Sequence, residues 1–297
     1  MKLGMVGLGR MGGNMTIRLR EHGHEVQTYA RSGGGTAETL KELVSQLAPP
    51  RVVWLMIPAG PPTEGSFQEL LGELERGDII VDGGNSNFRD SQRRHGEAGG
   101  QGIAFVDAGV SGGIWGREVG YCLMVGGEDD AVAVVEPAFV ALAPADGYAH
   151  VGPSGAGHFV KMVHNGIEYG LMEAYAEGFE VMRSSEFQLD LQEIAGIWRY
   201  GSVVRSWLLE LLYSAFEKEG SDLAKIRGYV DDSGEGRWTI AEAIAEDVPV
   251  PVISAALFAR FASRQDESYA AKITAALRNE FGGHALHFEG AATADSH

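Results

Sequence analysis

The sequence predicts an α/β doubly wound sheet in its first half and an all-α domain in its second. Three observations carry this. Short apolar runs alternate with helical stretches as far as Val151-Gly152. Most of the 42 glycines lie in that same stretch. Beyond Gly157 only helical periodicity remains. Strand–helix alternation argues for βαβ units and a parallel sheet covered on both faces. At about 100–200 residues per domain, 297 residues suggest two. We place the sheet domain at 1–152 and the all-helical domain at 153–297.

The elements follow in order. Strands are expected at 2–6, 25–29, 52–57, 79–82, 103–107, 122–125 and 148–151. Helices are expected at 158–182, 188–199, 204–218, 238–246, 251–263 and 266–280. The small, polar residues 290–297 read as a frayed tail.

Composition excludes several classes. With 24 basic against 41 acidic residues, the net charge is −17. That disfavours a nucleic-acid binder and docking on an anionic membrane. No apolar run reaches the ~20 residues of a membrane helix, and the start, MKLGMVGLG, is unlike a signal peptide. The single cysteine, Cys122, excludes an internal disulfide framework. It reads as a core thiol. The expectation is a cytoplasmic protein.

Gly7-Leu8-Gly9-Arg10-Met11-Gly12 fits GxGxxG between a strand and a helix. Gly7 makes the tight turn, Gly9 admits a pyrophosphate and Gly12 lets helix and strand approach. The helix N-terminus supplies free N–H groups for the phosphates. This is the fingerprint of a Rossmann-type fold. The second strand ends Tyr29-Ala30-Arg31-Ser32, without the acid that NAD folds carry there. Arg31, assisted by Ser32, would hold a 2′-phosphate, so NADP is preferred and NAD is the second choice. The plainer alternative is a solvated loop arginine.

In the segment from His158, Lys161, His164, Asn165, Glu168 and Tyr169 stand at i, i+3, i+4, i+7 and i+8. They share one helix face. Phe159, Val160, Met162, Val163, Ile167 and Leu171 make much of the rest apolar, so the helix is expected to be buried, with its polar stripe lining a cleft. Lys161 to Glu168 spans roughly 10 Å at 1.5 Å per residue. A desolvated lysine can act as a base and a glutamate farther along as an acid. The alternative is an internal Lys161–Glu168 network. The loops Asp82-Gly83-Gly84-Asn85-Ser86 and Val110-Ser111-Gly112-Gly113 follow strands, where α/β sheets bind ligands. Either could also be a plain turn.

On these residues the chain resembles the 6-phosphogluconate dehydrogenases, in length their short bacterial form. The likeness rests on GLGRMGGNM (7–15), IIVDGGNSNFRDSQRR (79–94), FVDAGVSGG (105–113), GAGHFVKMVHNGIEYGLMEAYAEG (155–178), GRWT (236–239), LFAR (257–260) and RNEFGGH (278–284). The resemblance implies that Lys161 is a general base and Glu168 a general acid, with Asn165 beside them. It places Asn85 between cofactor and substrate, and Ser111, Gly112 and Gly113 at the substrate carboxylate and hydroxyls. His164, Asn165 and Tyr169 would touch substrate, Tyr169 at the phosphate end. Arg260 would bind phosphate. Arg278 and His284 would be donated by the other subunit of an interlocked dimer, alone or within a dimer-based tetramer.

The implied reaction belongs to gluconate utilisation and the pentose phosphate pathway. Lys161 takes the C3 hydroxyl proton as hydride leaves C3, the β-keto acid loses CO2, and Glu168 protonates C1 to give ribulose 5-phosphate. No metal is implied, and His284 with His287 lacks the partners of a zinc site. The sequence departs from the long-form Lys-Gly-Thr-Gly stretch, reading Ser233-Gly234-Glu235-Gly236. Phosphate binding then rests chiefly on Arg260 and Arg278. Two other readings stand beside this one. One is another β-hydroxyacid dehydrogenase acting on a small 3-hydroxyacid. The other is a non-catalytic NADP-binding sensor, for which an intact Lys161/Glu168 pair is not needed. Trp198, Trp207 and Trp238 read as packing residues, Trp238 also as a brace for the neighbouring loop.

Overall fold

The computed structural model describes residues 1–288. The expected tail at 290–297 lies outside them. The strands are β1 (Lys2–Val6), β2 (Glu25–Tyr29), β3 (Val52–Leu55), β4 (Ile79–Asp82), β5 (Ala104–Ser111), β6 (Cys122–Gly126) and β7 (Tyr148–Gly152). Between them run α1 (Arg10–Glu21), α2 (Leu40–Ser45), α3 (Pro61–Glu73), α4 (Phe88–Gly99), α5 (Gly116–Val119) and α6 (Asp129–Leu142). Then follow α7 (Ala156–Arg183), α8 (Leu191–Trp198), α9 (Trp207–Glu219), α10 (Glu235–Ala245), α11 (Pro251–Ala262) and α12 (Tyr269–Gly282).

Chain contacts divide the molecule into two compact units. The first is Met1–Tyr169 with Gly234–Ile253; the second is Gly170–Ser233 with the residues from Ser254 onward. The division falls inside α7, whereas strand structure ends at Gly152.

In the first unit the sheet order is β2-β1-β3-β4-β5-β6-β7. The chain winds outward from β1 in both directions, so the switch point lies between β1 and β3, where such sheets open a ligand crevice. Successive side chains alternate between faces. Leu3, Met5, Val52 and Trp54 face Met15 and Leu19 of α1 and Val135 and Phe139 of α6. Val6, Val53, Leu55 and Ile80 face Leu43 of α2 and Phe67 and Leu70 of α3. Two apolar cores on opposite faces define the doubly wound layer.

The sheet departs from the wholly parallel one expected from the sequence. β6 runs antiparallel to β5, with Asp107 opposite Gly126 and Ser111 opposite Cys122. Only the short segment Gly112–Tyr121 connects them, too little for the crossover that a parallel pair requires. Cys122 is also corrected. It is exposed, not a core thiol, because it opens β6 at the end of the ladder.

The second unit is helical. Phe179 of α7 packs with Leu191 and Ala195 of α8 and with Leu209 and Phe216 of α9. Trp198 meets the Phe179 ring edge-on at 5.7 Å. Trp207 does not pack as expected; it is 45% exposed at the start of α9. α12 buries no residue in its own chain, although Ile273, Leu277 and Phe281 repeat at four-residue spacing along it.

Candidate active site

The glycine turn after β1 has the geometry its sequence requires. Gly7 has φ +97°, and a Cβ there would lie 2.4 Å from the Met56 carbonyl oxygen. A Cβ on Gly12 would lie 2.0 Å from the Gly7 carbonyl oxygen. Above Gly9 the space is open. Close packing beneath and free backbone above form the cradle a pyrophosphate needs. Leu8 and Met11 pack against the core, Arg10 opens α1, and Arg31 and Ser32 are exposed just past β2.

The loop after β4 is held from below. Asp82 is fully buried and accepts from Ser86 Oγ at 2.7 Å and from the Gly84 N–H at 3.1 Å. Arg94, 1% exposed, pairs with Asp82 at 3.0 Å and with Glu64 at 3.1 Å. A guanidinium this deep is tolerated because both carboxylates pair with it. Asn85 is thereby presented to solvent at the loop tip.

α7 carries the polar stripe, and three features seat it on the sheet. Buried Asp107 accepts from the N–H groups of Gly155 at 2.6 Å and His158 at 2.8 Å, capping the helix start. A Cβ on Gly109 would lie 2.5 Å from Lys161 Cβ. A Cβ on Gly157 would lie 2.5 Å from the Asp107 and Met124 carbonyl oxygens. The two glycines let the helix descend until its second turn touches β5.

Within this unit the stripe forms one network. Lys161 Nζ donates to Asn165 Oδ1 at 2.7 Å, and His164 Nδ1 lies 2.9 Å from the same oxygen. His164 Nε2 is 3.4 Å from Ser111 Oγ, and His164 Nδ1 is 3.8 Å from Glu168 Oε2. Gly112 and Gly113 follow Ser111 with φ of +124° and +54°. Asn165 Nδ2 donates to Glu235 Oε1 at 3.1 Å. Lys161 is 7% exposed. Burial holds its pKa below the ordinary 10.5, against the opposing pull of Glu168, Glu235 and Cys122. A buried amine with a lowered pKa, beside a half-exposed carboxyl on the next turns, is equipped for proton transfer.

α10 completes this wall. Thr239 Oγ1 donates to the Met162 carbonyl oxygen at 2.9 Å, and a Cβ on Gly166 would lie 2.9 Å from Thr239 Cγ2. Tyr169 is 4% exposed, and its ring lies against Gly236. The Trp238 ring lies beside Gly234, bracing the turn into α10 as the sequence suggested. One flank of α7 departs from expectation. Val160, Ile167 and Leu171 are 37%, 53% and 46% exposed, so the helix is not covered all round by its own chain.

Arg260, Arg278 and His284 belong to the second unit. Arg260 Nη1 donates to the Asp231 carbonyl oxygen at 2.9 Å. Arg278 lies exposed in the last turns of α12. His284 follows the Gly283 cap, and its carbonyl accepts from Asn279 Nδ2 at 2.8 Å. Asp107, Gly109, Gly157 and Arg94 have no role that the sequence alone reveals, and Asp82 is read there only as the first residue of its loop. Asp82 and Arg94 hold the loop that carries Asn85, and Asp107, Gly109 and Gly157 seat the helix that carries Lys161.

Family models decide the kinship. The NAD binding domain of 6-phosphogluconate dehydrogenase matches residues 2–152, and the C-terminal domain of 6-phosphogluconate dehydrogenase matches residues 157–283. The chain belongs to the 6-phosphogluconate dehydrogenase family. It is 43% identical over 295 residues to the NAD(+)-dependent, decarboxylating 6-phosphogluconate dehydrogenase of Haloferax volcanii, covering 96% of this chain and 98% of that one. It is 36% identical over 294 residues to the NADP(+)-dependent, decarboxylating enzyme of Bacillus subtilis, covering 90% of this chain and 62% of that longer one. Among solved structures, the Plasmodium falciparum 6-phosphogluconate dehydrogenase superposes with a TM-score of 0.81 at 28% identity, covering 98% of this chain and 67% of that one.

Proposed function

We propose that this protein oxidatively decarboxylates 6-phosphogluconate to ribulose 5-phosphate and CO2, using NADP or NAD. The observation that carries the reading is the buried Lys161–Asn165 pair, with Glu168 on the same helix face, beside Ser111 at the carboxyl end of β5. A bound nicotinamide supplies the hydride acceptor. Neutral Lys161 takes the proton of the C3 hydroxyl. As an ammonium it then polarises the C3 ketone and stabilises the enolate formed as CO2 departs. Glu168 delivers a proton to C1. Ser111, Gly112 and Gly113 hold the carboxylate and hydroxyls, Asn85 lies between cofactor and substrate, and Tyr169, His164, Arg260 and Arg278 take the remainder of the sugar phosphate.

The site serves this chemistry without a metal, since the ketone is the electron sink. The exposed stripe of Ile273, Leu277 and Phe281 on α12 supports a homodimer in which residues 153–297 make the interface and C-terminal residues complete the neighbour's site. No helix among the described residues is long and apolar enough to cross a membrane, and we place the enzyme in the cytoplasm.

Carboxyl-labelled 6-phosphogluconate tests the reaction. Labelled CO2 released in step with nicotinamide reduction is expected. Reduction without CO2 would contradict the decarboxylating reading and favour oxidation of a simple 3-hydroxyacid.

A further inference from the structure

Glu235 opens α10 after the turn at Gly234, and it is 2% exposed. Its Oε1 accepts from Asn165 Nδ2. The other end of that amide faces Lys161 Nζ at 2.7 Å and His164 Nδ1 at 2.9 Å. An asparagine amide has one acceptor oxygen and an NH2 with two donors, and its neighbours decide which way it points. A carboxylate accepts only, so Glu235 admits the NH2 and turns the oxygen toward the lysine. Lys161 must then donate one hydrogen to Asn165. The lone pair of its neutral form stays unused by this amide. In the reversed orientation the NH2 would point at Nζ and donate into that lone pair, occupying the base.

We propose that Glu235 is a positioning residue for Lys161: it locks the Asn165 amide so that the lysine's lone pair stays available to the substrate hydroxyl. As far as turnover is concerned, the inference rests on the reaction proposed above. The charged and titratable groups that face Lys161 are Glu168 on its own helix, Glu235 on α10 and Cys122 on β6, with His164 sharing the Asn165 oxygen. The Glu235 charge also favours the ammonium form. Removing it lowers the lysine pKa further below its ordinary value.

Glu235→Gln in the full-length chain tests this, because glutamine accepts either amide orientation and carries no charge. Two readouts are taken. The first is the pH profile of kcat and kcat/KM. The second is Lys161 acylation by an amine-selective reagent against pH, read by peptide mass, which needs no turnover. The expected result is a kcat lower by roughly tenfold, part of what a general base contributes, with KM changed less than about twofold. The acid limb and the acylation midpoint should both move down by about half a pH unit or more. Asn165→Asp, which fixes an acceptor on Nζ, should move the midpoint up. An unchanged kcat and midpoint in folded Glu235→Gln would overturn the proposal. So would a fall in KM alone, which would place Glu235 at the substrate's anionic end. If the unaltered protein does not turn over 6-phosphogluconate, the reaction fails while the acylation midpoints still decide the role of Glu235.

Discussion

Gly109 lies directly beneath Lys161: a Cβ at 109 would stand 2.5 Å from the lysine's own Cβ and 2.9 Å from the Gly157 carbonyl oxygen. Lys161 therefore sits where a strand lacks a side chain. Sheet and helix meet at backbone distance, and Asp107, two residues earlier on the same face, caps the helix that carries the lysine.

Gly109→Ala should therefore damage both stability and turnover. Neither the helix backbone nor the lysine Cβ can swing aside as a flexible side-chain end can. Overpacking of this kind costs about 1–3 kcal/mol. A thermal melt should show a lower Tm, and kcat should fall in the fraction that folds. A variant with unaltered Tm and kcat would show that α7 is free to lift from β5.

Lys161→Met should remove oxidation while leaving cofactor binding. Loss of a general base costs roughly 10²–10⁴-fold in kcat. Methionine fills the same buried space without the amine. Turnover and NADP affinity measured on one preparation check this, and retained turnover would refute the base role.

The fold was legible because periodicity and glycine placement are local signals. Alternation of apolar runs located the seven strands, and GxGxxG located the turn at Gly7 before any contact was known. The polar stripe from Lys161 to Tyr169 was legible for the same reason: helix spacing alone puts it on one face. The antiparallel β6 was not, because strand direction depends on how a short connection closes. Cys122 was misplaced because an apolar run does not tell a strand's first residue from its middle. Asp107, Gly109 and Gly157 lie in segments that carry the resemblance, but spacing gives them no role; that role exists only once β5 and α7 meet. The exposed faces of α7 and α12 read as apolar, and a single chain does not cover them.

Arg260→Ala should weaken substrate affinity more than it slows saturated turnover. An arginine that binds phosphate contributes mainly to binding shared by ground and transition states. Initial rates across substrate concentration should show KM raised and kcat changed less. An unchanged KM would remove Arg260 from the phosphate site.

Acid should loosen the support beneath Asn85. Arg93 first, then Gln68 and Arg94, hold the Glu64 pKa down to about 2. Because the folded value lies below the ordinary 4.5, this stabilisation is complete above about pH 5 and is lost as pH falls from 4.5 toward 2. Melting curves of the unaltered protein and Glu64→Gln should converge as pH drops through that window. A gap that stays constant across it would place the stabilisation elsewhere.

The most direct measurement is reduction of NADP and of NAD in parallel with 6-phosphogluconate, with ribulose 5-phosphate assayed as product. Reduction with stoichiometric ribulose 5-phosphate is expected, faster with NADP if Arg31 holds the 2′-phosphate. A folded protein that binds NADP and reduces neither cofactor would contradict the proposed reaction.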